Sequence, residues 1–246
     1  MNSCSNIKEQ ARENLLGHYR NLVASAFLYA VITSILLSAF SNMLVTNISG
    51  DTRIVSRIIC SIAGIVIVLL LAGLFRSSLG AYHVKLARQE DPDSMDLLHP
   101  LKNHPDKFMG LALVHVAIVF VCMLPGGIVT VVSITMNQMS LLAIGIILLV
   151  LGAVLFISLF LSWALARFIL LDDPYGHTVR DALRESANWM HGQRKFLLGM
   201  ILSFIGWLFL GLATFTLGYL WSSQYVGQSL AVFYIRTVPA DCVYDE

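Results

Sequence analysis

Long apolar runs separated by short polar stretches dominate the chain. Six of these runs approach the roughly 20 apolar residues that a membrane-crossing helix needs. They are Leu22–Val45, Ile58–Phe75, Phe108–Val132, Leu141–Leu171, Phe196–Ala213 and Gly218–Val238. The third is interrupted by Pro125-Gly126-Gly127, read as a helix end. The fourth covers about 31 residues, so it must tilt or project beyond the bilayer. The sixth is diluted by Ser222, Ser223, Gln224, Gln228 and Ser229. No period-two barrel pattern is visible, and in lipid a helix satisfies its own backbone. The predicted fold is an all-α membrane protein with six transmembrane helices. These form three hairpins, each preceded by a cytoplasmic amphipathic segment, in a single polytopic domain over residues 1–246.

The polar stretches resemble one another. Each opens on a potential helix cap with an acid three positions later: Asn6 and Glu9, Asp93 and Asp96, Thr178 and Asp181. A cap accepts orphan amide hydrogens, and the acid favours the positive end of the helix. Ile7, Ala11 and Leu15 share one face of the first segment; Val179, Leu183, Ala187 and Met190 share one face of the third. Pro100 and Pro105 break the second. Basic residues precede each following span at Arg20, Lys107 and Arg194-Lys195. Threefold agreement suggests pseudo-repeats over 6–75, 93–171 and 178–238, although any linker between spans tends to be basic and amphipathic.

Composition strengthens the membrane reading. Apolar residues make up 57% of the chain and charged residues 13%, against about 45–50% and about 25% in soluble domains. Mean hydropathy is +0.75. A soluble globule, a disordered chain and a disulfide scaffold all fit poorly. The net charge of +1 gives no argument for nucleic acid. Of the 16 basic residues, all but Arg53 and Arg57 fall on the side that holds the N-terminus. That bias predicts cytoplasmic N- and C-termini in the cell (plasma) membrane. The first apolar run starts too late and runs too long for a cleavable signal peptide. The cysteines, Cys4, Cys60, Cys122 and Cys242, show no metal or redox spacing.

Several motifs resemble the domain-of-unknown-function 975 family. They are Ala11-Arg12-Glu13-Asn14-Leu15-Leu16-Gly17, Leu124-Pro125-Gly126, Asp172-Asp173-Pro174, Ala182 and Ser186 through Gly192. Leu202 through Trp207, Gly218-Tyr219-Leu220-Trp221, Tyr225 and Ala231-Val232-Phe233-Tyr234 complete the set. Gln224 and Ile235 stand where that family tends to have proline and an acid. The resemblance implies a six-helix bacterial membrane protein and no established activity. Its layout is also similar to the membrane domain carried by some glycerophosphodiester phosphodiesterases, which hints at a role beside lipids.

The candidate chemistry is sparse. No Asp, Glu or Lys lies mid-span, where coupled transporters usually keep such groups, and no nucleophile elbow or phosphate loop occurs. The expected class is therefore not an enzyme, with no cofactor and no metal. His115 is expected to bond a neighbouring helix. The densest charge lies at Asp172 and Asp173, flanked by Arg167, Arg180 and Arg184, with Arg194 and Lys195 beyond. These residues are candidates for a lipid headgroup, while Asp173-Pro174 is also a simple helix end. The partners expected are anionic membrane lipids. A homodimer is the sharper reading of the small-residue stripe Ala26, Ala30, Ser34, Ser38 and Asn42. The expected function is a non-enzymatic module that binds or moves lipids or small amphiphiles; the alternative is an accessory or scaffold subunit of another membrane complex.

Overall fold

The computed structural model describes residues 4–45, 54–102, 104–173, 175–206, 209, 211 and 217–238. All regular structure among them is helical: α1 (Cys4–Leu15), α2 (Tyr19–Val45) and α3 (Ile54–Ala87), then a 3₁₀ turn at Ser94–Leu98 and α4 (His99–Lys102). There follow α5 (Pro105–Thr135), α6 (Met139–Ser162), α7 (Ala166–Asp172), α8 (Val179–Trp189), α9 (Arg194–Leu202) and α10 (Leu217–Thr237). Four stretches are long and apolar enough to cross a membrane: Tyr19–Asn42, Ile59–Ala87, Pro105–Thr135 and Met139–Asp172. Only 11–22% of the residues in their most apolar windows are buried by the protein itself. Ile146, Ile147, Val150 and Val154 of α6 all stand exposed. A surface this oily is covered by lipid rather than water.

The buried core lies toward the opposite chemistry, among the short helices. Ile7, Ala11 and Leu15 of α1 are fully buried, as the amphipathic pattern predicts; Ile7 and Ala11 share a core with Phe168 and Leu170 of α7 and Ala231–Tyr234 of α10, while Leu15 packs with Leu22, Tyr82 and Leu86 in a second. The Tyr225 hydroxyl donates to the Lys8 carbonyl at 3.2 Å, tying α10 to α1. The polar residues that dilute the sixth apolar run have a structural reason. Ser222, Gln224, Gln228 and Ser229 are buried in protein, and His83 Nδ1 of α3 donates to Gln228 Oε1 at 2.8 Å.

Several sequence expectations need correction. Asn6 lies inside α1, which already begins at Cys4, so it is not the cap. Pro125-Gly126-Gly127 does not end a helix, because α5 runs through it to Thr135. The glycine serves contact instead: a Cβ on Gly126 would come within 2.7 Å of the Leu149 backbone nitrogen on α6. The fourth apolar run is not one helix. It turns at Trp163–Leu165, between α6 and α7. The fifth turns after Leu202, and positions 207, 208, 210, 212 and 213 of its remainder lie outside the described residues.

The third amphipathic segment carries the capping box predicted for it. Thr178 and Asp181 exchange side-chain and backbone bonds at the start of α8. Its buried stripe is rotated, however: Ala182, Ser186 and Met190 are buried, with Val179, Leu183 and Ala187 only partly covered. In the second segment the Asp93 amide donates to Asp96 Oδ2 at 2.8 Å, half of the same device. The three segments also share a backbone feature. Gly17, His104 and Gly192, each just before a following helix, all take positive φ (91°, 53° and 85°).

Candidate functional site

Three helices each present one face to a common cleft. Leu69, Ala72, Gly73, Arg76 and Ser77 of α3 stand at the three-and-four spacing of a single helix face. Leu111, Ala112, His115, Val116 and Val119 of α5 do the same. Phe156 and Phe160 of α6, the Trp163 turn and Arg167 of α7 close the third side, with Leu230 of α10 behind. The resulting volume is about 340 Å³, at the low end of the roughly 300–1,000 Å³ usual for small-molecule pockets. Gly73 makes the approach possible, since a Cβ there would collide with the Ala112 Cβ.

This wall is apolar apart from two guanidiniums, one histidine and one serine. Arg76 is exposed into the cleft and lies over the Phe160 ring, 5.7 Å from its centroid. Arg167 lies over Phe168 at 4.6 Å, and its Nε is shielded from solvent without a hydrogen-bond partner. Cation–π contacts of this kind are worth about 0.5–2 kcal/mol, and they leave the charge in place. Among the described residues no carboxylate lines the cleft. His115 Nδ1 donates to the Leu111 carbonyl of its own helix at 2.8 Å, rather than to a neighbouring helix. Its ring meets Phe160 edge-on.

The candidate headgroup residues are not gathered together. Asp172 turns away from Asp173 and pairs with Arg88, just past the end of α3, at 2.8 Å, while the Tyr234 hydroxyl donates to the same oxygen at 2.6 Å. Asp173 caps the next turn, accepting from the Tyr175 and Gly176 amides at 3.1 and 2.8 Å. Those amides, Gly176 first, hold its carboxyl below the usual carboxylate range. Arg180 and Arg184 are exposed on α8, and Arg194 and Lys195 are exposed at the start of α9. Arg167 alone of the predicted set reaches the cleft. Arg76 escapes sequence reasoning, because it reads there as the basic end of a span; the signal is its place on the same α3 face as Leu69, Ala72 and Gly73.

Four long apolar helices whose sides the protein leaves uncovered define a multi-pass α-helical membrane protein. The family described as "Protein of unknown function (DUF975)" matches residues 1–239, and the chain belongs to it. No curated protein and no solved structure matches the chain.

Proposed function

We propose that the chain is a non-enzymatic membrane module that binds or moves anionic lipids or small amphiphiles. The observation that carries this reading is the pair Arg76 and Arg167 on one apolar cleft that no carboxylate lines among the described residues. A charged side chain within an apolar span is costly and marks a functional site by default. Here two such groups repel each other, and an anion between them would relieve both. The apolar walls then suit a hydrocarbon chain. We place the module in the plasma membrane as six helices in three hairpins, with cytoplasmic termini. The basic bias and the positive-φ residue before each hairpin support that arrangement. Exposed Arg180, Arg184, Arg194 and Lys195 would then draw anionic lipid to the inner face.

Native mass spectrometry after mild detergent extraction tests the reading. The wild-type chain is expected to retain lipid, and R76Q/R167Q to lose most of it while keeping its melting temperature. Full retention by the double variant would contradict the proposal. An accessory or homodimeric role is the second reading. It is favoured by Ser34, Ser38 and Asn42 of the small-residue stripe, which stand exposed while Ala26 is buried. Disulfide trapping of S38C as a dimer in native membranes supports it; a monomer throughout refutes it.

A further inference from the structure

The geometry points to a particular headgroup for the cleft: a phosphate monoester on a lipid, in preference to a phosphodiester. This inference rests on the cleft reading above and adds the charge and valence of the ligand.

Two neighbouring cations are neutralised within the protein. Lys85 of α3 pairs with Asp96 at 2.7 Å, and Arg88, just past the end of α3, pairs with Asp172 at 2.8 Å, both within a few turns of Arg76. Arg76 and Arg167 have aromatic faces instead, so the cleft keeps two positive charges and needs a dianion to balance them. A phosphodiester brings one negative charge and two free oxygens. A phosphate monoester carries about −1.5 to −2 near neutral pH and three terminal oxygens. Three oxygens are enough to offer each planar guanidinium a charge-assisted contact, bidentate for at least one of them.

His115 adds a second discrimination. Its Nδ1 hydrogen is committed to the Leu111 carbonyl, so the neutral ring keeps Nε2 as an acceptor on the cleft wall. The dianion balances both guanidiniums, and when the bound monoester takes up one proton the resulting P–OH donates to that nitrogen. A phosphodiester and an ionised fatty acid have none. The hydrocarbon is accommodated by Leu69, Val116, Val119, Phe120 and Phe156.

The full chain in detergent, offered equimolar dioleoyl phosphatidic acid and dioleoyl phosphatidylglycerol, provides the test by native mass spectrometry. The expected adduct ratio favours phosphatidic acid by roughly tenfold, which is about 1.4 kcal/mol. R76Q and R167Q should each bring the ratio near unity, R76K should restore part of it, and H115Q should reduce it several-fold without abolishing lipid binding. Equal adducts of both lipids that vanish together in R76Q would overturn the headgroup inference and leave the cleft reading standing. Adducts insensitive to Arg76 with either lipid would overturn both. Displacement of phosphatidic acid by millimolar inorganic phosphate would mean that the site reads free phosphate, which also overturns the lipid assignment. Should R76Q fail to fold, the wild-type ratio decides alone: parity overturns the inference.

Discussion

Ser186 is completely buried, and its hydroxyl serves both sides of the break between α6 and α7. It donates to the Ser162 carbonyl at 2.9 Å and accepts from the Leu165 amide at 3.2 Å. A turn inside an apolar run exposes backbone groups that lipid cannot satisfy, and one side chain from α8 satisfies two of them. S186A is therefore expected to lower unfolding stability by about 1–3 kcal/mol, seen as a reduced melting temperature in detergent; an unchanged melt would refute the bridging role. Asp173 makes a pH prediction of definite sign. Its folded pKa lies below the unfolded value of about 3.9, so its contribution is complete above that value and is lost as pH falls through the folded one. Exchange protection of the Gly176 amide should fall on acidification below about pH 4 in the wild type, and should stay level in D173N. Identical pH profiles would contradict the assignment. The Ser186 bridge is not legible in the sequence, because Ser186 and Ser162 lie far apart in the chain and a helix break inside a leucine-rich run has no local signal, whereas the helix end at Asp173-Pro174 is legible because its signal is local. The Thr178–Asp181 box is legible because its chemistry is confined to four consecutive residues.

Helix periodicity predicts most elements correctly and fails where an element's job is contact. Pro125 reads as a terminator because it removes one backbone bond, yet α5 continues since a broken helix in lipid strands more polar groups than a single proline does. The glycines beside it reveal the reason only in three dimensions. A Cβ on Gly126 would meet Leu149, one on Gly145 would meet Thr130 Oγ1 at 2.5 Å, and one on Gly152 would collide with the Cys122 carbonyl oxygen. These three positions form a close seam between α5 and α6, the mode of packing that small residues permit in membranes. G152V should pry the seam apart, costing about 1–3 kcal/mol or more. Susceptibility of the Asn137 turn to limited proteolysis reports it. A resistant G152V would show that the seam carries no stability. The rotated stripe of α8 has a similar origin: hydrophobicity places Val179, Leu183 and Ala187 inward, while the need to serve the α6–α7 break brings the polar Ser186 to the centre.

Across the molecule, the sequence separates what faces lipid from what faces protein only in part. The four apolar spans and the buried stripe of α1 are legible, since each depends on periodicity within one segment. The buried polar face of α10 and the cleft are not, because each needs elements from distant parts of the chain. Arg76 and Arg167 are 91 positions apart in sequence and share a cleft only because α3, α5 and α7 converge. On the proposal above, this cleft, and not the general lipid-facing surface, holds an anionic amphiphile. Photocrosslinking in native membranes measures it directly, with a benzophenone amino acid replacing Val119 in the cleft or, as the control, Val121, which is 72% exposed. The cleft position should yield a lipid adduct that falls at least several-fold when R76Q is added, while the control adduct does not change. Adducts at both positions that are equally indifferent to Arg76 would contradict the claim.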